Sequence, residues 1–528
     1  MFSRVLYIGL YILLPPFPPV VLKMSLTNSV VGVVSNLTTL PGVAAVLFLG
    51  LLYMWLSQKK YKLPPGPPGL PLIGNMLDFR GSTLTKKTLE WKAKYGDVIQ
   101  YKLGLRRWVV IGSIEAHMEA YIQRGQDFAS KPYVPSLDVI SEGSSNIAFA
   151  PYSEAVRYRR KVAMQAMRQY LTGSQHTERI HKVVLTSVSH MASQKGAFNP
   201  HKFFSHIIFN LIHDLCFGYS LDIDDPTYTW MLAFFNSRNL QLTNFWEDIF
   251  PILMHCPTRK FRQVMSTMEE FRVYIRKHLQ ERRLNFHEHK PENLIDNILL
   301  AQKVVAEGEH EELKAGFTDV HIRNIIRDIF FAGINTSRHT LLWIFLVLAA
   351  NQKVQKRVHE EIDRTTGGAV PGREHRSGLV YTEAVIMEVM RMYLVVPMGL
   401  PHETMRDTQV GGYDIPAKTT LLVHQYAIMR DPRHWDNPEV FNPDRFIEED
   451  GTKLKARPQS WIPFSIGLRN CVGEFLGKQN ILYSVVGLLQ QLHFDLAPGT
   501  GKPDMTPEDR WFDLVPRPYT VVVTRRGP

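Results

Sequence analysis

Cysteine is scarce: the 528 residues carry three, Cys216, Cys256 and Cys471. Thiols so few and so scattered exclude a disulfide-framed scaffold and fit a reducing compartment. Acidic residues are in the minority, 50 Asp and Glu against 61 Lys and Arg, which gives a formal charge of +11. That excess suits an anionic membrane surface or an acidic protein partner. It does not point to nucleic acid, because no zinc-finger or RNA-binding signature accompanies it. Internal repeats and low-complexity linkers are also lacking in the body that follows residue 71, which excludes repeat architectures there. What remains, 45% hydrophobic and 21% charged residues, is the composition of a globular protein with a large core. Length alone suggests about three domains. That count is set aside below, because the chemistry is spread over segments that must meet in one fold.

Charge is absent altogether from Ser25 to Gln58. The second half of this stretch, Leu40 to Leu56, is nearly all apolar and, with its flanks, about long enough to span a bilayer. Tyr53 and Trp55 sit where an interfacial aromatic belt belongs, and Lys59, Lys60 and Lys62 follow at once. By the positive-inside rule those lysines, and the bulk of the chain behind them, face the cytosol. A cleaved signal peptide would show small residues at its end; here basic residues stand instead. Met1 to Lys23 reads either as a second short apolar segment or as an extension ahead of a start at Met24. The sequon Asn36-Leu37-Thr38 lies almost against the membrane and is expected to go unused. Leu63 to Pro71, LPPGPPGLP, is too proline-rich for a helix and reads as a stiff spacer arm. The boundaries are therefore 1–62 for the N-terminal segment with its anchor at about 40–56, 63–71 for the arm, and 72–528 for one catalytic domain.

In the body, Val98 to Ile111 has β-rich runs on either side of Gly104 and predicts a hairpin. Helical patterns dominate from Tyr152 to Leu394, with short strands expected around Gly412–Ile415 and Thr520–Thr524. Asp319 to Trp343 predicts a helix with Ile322, Ile325, Ile326, Ile329, Phe330 and Gly333 on one stripe, capped by Thr318 or Asp319. Ala332-Gly333-Ile334-Asn335-Thr336-Ser337 places a glycine and hydroxyls inside that apolar helix, where hydrogen bonding is weakened. Near the C-terminus stands Phe464-Ser-Ile-Gly467-Leu-Arg469-Asn-Cys471-Val-Gly473. Glycines frame the cysteine so that backbone can approach a flat ligand. A helical run follows, whose amides and dipole favour a thiolate. Arg469 is suited to pair with a carboxylate. Upstream, Glu388 and Arg391 share one helical turn, and Phe441 to Phe446 (FNPDRF) forms a loop carrying Arg445.

The cysteine segment resembles the haem loop of the cytochrome P-450 family, F-x-x-G-x-R-x-C-x-G, at every fixed position. The resemblance implies that Cys471 is the axial ligand of haem iron and that Arg469 meets a haem propionate. Phe464, Gly467 and Gly473 would shape the loop. A thiolate ligand pushes electron density onto iron and favours O–O cleavage. The resemblance extends to an ionic triad of Glu388, Arg391 and Arg445 supporting that loop, with Asp444 where the family has Glu. It implies an oxygen-binding kink at Gly333, Asn335 and Thr336, with Thr336 delivering protons. Arg160 and His402 look like further propionate contacts. Two departures stand out. Asn335 replaces the usual acid and cannot relay a proton by ionising. Val156 replaces the tryptophan that precedes Arg160.

The expected fold is mainly α with a minor β region, a single large cytochrome P-450 domain behind an N-terminal transmembrane helix. The expected cofactor is haem b, with NADPH electrons passed through a separate FAD/FMN reductase and cytochrome b5 as a further partner. The expected reaction inserts one oxygen atom from O2 into an apolar small molecule at the endoplasmic reticulum membrane. The branch most resembled is the animal microsomal one containing steroid and aryl-hydrocarbon hydroxylases. Apolar segments at Phe330–Ala332, Val395–Leu400 and Trp511–Val515 are expected to line the substrate site, which favours a rigid polycycle over a fatty acid. The competing readings are a haem isomerase or dehydratase that needs no reductase, and a non-enzymatic haem protein.

Overall fold

The computed structural model describes residues 61–172, 176–236, 246–287, 291–499, 501–510 and 513–527. The expected anchor at 40–56, and Trp511 and Phe512, lie outside the described residues. Among those described, no helix is long and apolar enough to cross a membrane. Lys62–Pro528 make one compact unit, built from helices with, among the described residues, four small sheets.

The arm is extended and lies against the first strand: the Gln100 N–H donates to the Pro65 carbonyl at 2.9 Å. A Cβ on Gly66 would sit 1.8 Å from the Gln100 carbonyl oxygen, so that approach requires glycine. After α1 (Leu84–Tyr95), β1 (Val98–Leu103) and β2 (Arg106–Ile111) form the expected antiparallel hairpin, Val98 facing Ile111. Two strands from far along the chain complete its sheet. These are β3 (His402–Glu403) and β6 (Thr420–Val423), in the order β1-β2-β6-β3. β6 runs parallel to β2 with Trp108 against Thr420. The small hairpins are β4 (Thr408–Val410) with β5 (Tyr413–Ile415), and β8 (Glu508–Asp509) with β9 (Leu514–Val515). β7 (Leu492–Leu496) pairs with β10 (Val521–Arg525).

The helical layer holds the site. Its members, in chain order, are α2 (Glu154–Thr172), α3 (His176–Ala192), α4 (His201–Phe217) and α5 (Pro226–Asn236). There follow α6 (Arg259–Leu284), α7 (Leu294–Glu307), α8 (Asp319–Ala350), α9 (Gln352–Thr366), α10 (Val380–Met392) and α11 (Glu474–Gln491). α4 is buried on every side from Phe203 to Phe217 and packs along α8, where Phe204 and Phe345 stack at 4.7 Å. α8 is capped at Thr318, whose N–H donates to Nδ1 of His321.

α8 departs from expectation in two ways. It runs on to Ala350, because Leu341 to Ala349 is a further buried apolar run. It is also α-helical throughout, with no change of helix type at Gly333. Gly333 serves packing instead: a Cβ there would lie 2.9 Å from Cδ1 of Ile212 on α4. The glycine lets the two central helices close on one another.

Candidate functional site

Cys471 closes its loop by donating its backbone N–H to the Phe464 carbonyl at 2.9 Å. Phe464 is half-buried beside Trp461, their rings 6.2 Å apart, with Nζ of Lys478 over both. Gly467 sits at φ +83°, and a Cβ there would fall 2.3 Å from the Tyr121 carbonyl oxygen. Both the left-handed backbone and the close approach demand glycine. A Cβ on Gly473 would lie 3.9 Å from the Cys471 sulfur, in ordinary contact, so this glycine keeps the sulfur's flank open.

The Cys471 side chain is accessible although dense protein surrounds it. Burial pushes its thiol pKa up. The Gly473 amide, then the Arg160 charge and the Glu474 amide at the start of α11, pull the other way without prevailing, and the Glu474 carboxylate adds to the upward push. The expectation that the helix terminus favours a thiolate thus holds in sign, but burial outweighs it. A bound cation would reverse that balance.

Around the loop the structure gathers basic groups. Arg469 is buried and donates from Nη1 to the carbonyls of Ala129 (3.3 Å) and Ala150 (3.1 Å), and from Nη2 to those of Ile147 (3.3 Å) and Ala148 (3.2 Å). Its Nε is buried with no hydrogen-bond partner among the described residues. Burial, then the neighbouring Arg160, push its pKa down to about 9. Arg160 donates to the Asn470 carbonyl at 2.6 Å, one residue from the cysteine.

His402, hung on β3, bonds through Nδ1 to the Phe128 carbonyl at 2.7 Å and stacks on Tyr121 at 4.3 Å. Burial and then Lys131 hold its pKa well below the ordinary histidine range. Lys131 itself is buried, and burial, Arg469 and Arg160 depress its pKa strongly. Asp328, the carboxylate that Arg469 feels, is already committed to the Ile147 and Ala148 amides and to Arg327. Cations crowded like this call for anions from elsewhere.

Lys131 has no local sequence signal; only the fold brings it to Arg160, Arg469 and His402. An accessible sulfur at a helix start, a glycine-kept flank and a basic cluster short of counter-charge together fit a flat, carboxylate-bearing metal cofactor such as haem. Cys471 would ligate its metal, and Lys131, Arg160, Arg469 and His402 would face its carboxylates.

Beneath the loop, Glu388 and Arg391 on α10 are each 0% exposed and joined at 2.7 and 3.0 Å. Nε of Arg445 reaches the same carboxylate at 3.1 Å, and the Asn442 amide donates to it at 2.9 Å. Arg391 also donates to the Met429 and Pro438 carbonyls. Asp444 stands apart, paired with Arg357 at 2.8 Å where both side chains are about half exposed.

On α8, Ala332 is exposed and Phe331, Asn335 and Thr336 are half-buried, although the helix is mostly buried on either side; this strip is open to a small molecule. The Thr336 hydroxyl donates to the Ala332 carbonyl at 2.6 Å. Asn335 accepts from Arg338 at 3.0 Å. Sequence reasoning missed Arg338, although a charge inside an apolar helix was a visible signal. Of the expected lining, Phe330 is core, fully buried against Phe209, Phe217 and Phe271. Phe331 packs edge-on to Phe234 and Phe235 of α5, and Val395 is buried while Leu400 is exposed.

Comparison with known proteins gives the family. The family model for cytochrome P-450 matches residues 64–523. Cytochrome P-450 2U1 of Homo sapiens is 29% identical over 521 residues, covering 92% of this chain and 94% of that protein. Cytochrome P-450 1A1 of Oncorhynchus mykiss is 29% identical over 500 residues, covering 91% and 95%. The 1A1 protein of Macaca mulatta is 30% identical over 472 residues, covering 85% and 90%. With the family pattern running through nearly the whole described body, the chain belongs to the cytochrome P-450 family of haem-binding monooxygenases.

Proposed function

We propose that this protein inserts one oxygen atom from O2 into a rigid, apolar polycycle of steroid or aromatic-xenobiotic size, using NADPH electrons from an FAD/FMN reductase. The observation that carries this is Cys471, an accessible sulfur addressed by two amides beside a basic cluster short of counter-charge. Haem b, when bound, supplies one-electron and dioxygen chemistry, which a thiolate ligand steers towards O–O cleavage.

The chain's own residues do the rest. Arg160, Arg469, Lys131 and His402 would hold the cofactor's carboxylates, and the Glu388–Arg391–Arg445 set would keep the loop seated. Thr336 keeps a proton at Oγ1 on the Ala332 carbonyl, with lone pairs free to accept from a water. Phe331 and Ala332 make an apolar wall that excludes water and binds mainly through buried area.

Reduced protein treated with carbon monoxide should show the red-shifted Soret band of thiolate ligation, and Cys471→Ser should lose it. Persistence of the band through Cys216 or Cys256 would overturn the assignment. Asn335, tied to Arg338 and unable to ionise, favours a second reading, a reductase-independent isomerase or dehydratase. Product that appears only with NADPH and a reductase decides against it.

The uncharged segment ahead of the arm supports a single anchor in the endoplasmic reticulum membrane, with the catalytic domain in the cytosol beside the reductase and cytochrome b5. A chain starting at Leu63 should fold with haem yet leave carbonate-washed membranes. Retention of that truncated chain would refute the single anchor.

A further inference from the structure

Arg338 is buried in the middle of α8, and its hydrogen bonds reach two elements. Nη1 donates to Oδ1 of Asn236, the last residue of α5, at 2.7 Å. Nη2 donates to Oδ1 of Asn335 at 3.0 Å. A guanidinium has donors and no acceptor, so it fixes which way each amide faces. The oxygen of Asn335 must point at Arg338, and its NH2 must point away.

Helix geometry gives the direction. At about 100° per residue, Asn335 lies about 60° around α8 from the exposed Ala332, and Arg338 about 120° around on the same side. Asn335 therefore stands between the guanidinium and the accessible strip of Ala332 and Thr336. Its amide nitrogen has no partner among the described residues.

We propose that Arg338 is a positioning residue: it locks the Asn335 amide so that the NH2 is a fixed hydrogen-bond donor for a carbonyl oxygen on an otherwise apolar substrate. This rests on the site being the substrate side of a haem monooxygenase, and it narrows the substrate class to polycyclic ketones. It also accounts for an amide where the resembled pattern has an acid. A carboxylate beside Arg338 would be held as an ion pair and would offer a substrate carbonyl no N–H. The charged and titratable groups around Arg338 are Tyr228 on α5, Arg510 and Asp513 on the β8–β9 hairpin, His201 on α4 and His339 on α8 itself. Burial brings the Arg338 pKa down to about 10, so the guanidinium stays charged at neutral pH.

Fluorenone and its parent hydrocarbon fluorene are matched probes. Titrated against the haem-loaded full chain while the spin-state shift is followed, the ketone should bind about threefold to tenfold more tightly, the worth of one net hydrogen bond. Arg338→Met should erase that preference and leave the fluorene affinity unchanged. Arg338→Lys, which keeps a donor, should restore part of it. Asn335→Ala should erase it as well, with nothing further lost in the double variant. An Arg338→Met protein with the wild-type ratio overturns the proposal.

Thermal unfolding gives an arm free of ligand. Asn335→Asp should be tolerated beside Arg338 but destabilise the Arg338→Met background, where the acid lacks its cation. An equal effect in both backgrounds also overturns the proposal. A missing thiolate band with Arg338 intact strikes the haem reading itself, so the two failures are told apart.

Discussion

At the scale of single residues, the same charge means different things according to what surrounds it. Glu388 is buried and offers both oxygens to Arg391, Arg445 and an amide, whereas Asp444, nearby in sequence to Arg445, meets Arg357 in the open. Removing one partner from a buried pair leaves an uncompensated charge and costs about 3–5 kcal/mol, whereas exposed pairs contribute under about 1 kcal/mol. Glu388→Gln should therefore lower the unfolding free energy several-fold more than Asp444→Asn, as measured by urea titration. Equal losses would show that the buried set contributes no more than a surface pair. The sequence spacing of Glu388 and Arg391 suggested neighbours on a helix; it could not tell a solvated pair from a buried one. Lys131 shows the opposite case, since nothing within Ser130-Lys131-Pro132 distinguishes it, and its meaning arises only where four distant segments meet.

At the scale of elements, periodicity made α8, α11 and the β1–β2 hairpin legible, because apolar spacing is a local property. The reason for a glycine was less legible. Gly333, read as a weak point in the helix, proves to be a contact point for Ile212, and that requires knowing which helix lies opposite. Gly467 and Gly473 look alike in the sequence, yet only Gly467 has a positive φ and a backbone oxygen in the way of a Cβ. Gly467→Ala should abolish the carbon monoxide band and lower thermal stability, because both backbone strain and a clash with Tyr121 must be relieved. Gly473→Ala, at φ −93° and with only ordinary contact to the sulfur, should keep the fold and disturb the band alone. If both variants folded and bound haem equally well, the loop would be more pliant than its geometry implies.

At the scale of the whole molecule, burial of histidines links stability to pH. Burial pushes His117 down to about 3, and His206, His213 and His424 to about 4. These rings stay neutral in the fold, but the unfolded chain protonates them below its ordinary histidine pKa of about 6.5. Stability is therefore full above about pH 6.5 and falls as pH drops towards these folded values, by up to about 1.4 kcal/mol per pH unit per ring. The urea midpoint should drop between pH 6.5 and 5, and His117→Phe should recover part of the loss. That ring is 0% exposed and both its nitrogens lack partners among the described residues. A midpoint that stays flat over this range would mean that the rings take up protons without unfolding.

The parallel pairing of β2 with β6 carries a consequence for how the chain is made. Ile111 emerges from the ribosome roughly 300 residues before its strand partner Val423, a delay of about 15–60 s at ordinary synthesis rates. Throughout that interval Val109, Val110 and Ile111 present an unpaired edge, and the carbonyls of Ala129, Ile147, Ala148 and Ala150 await an arginine still further along. Chaperone occupancy on nascent chains should therefore peak over this early hairpin and fall only after β6 has left the exit tunnel.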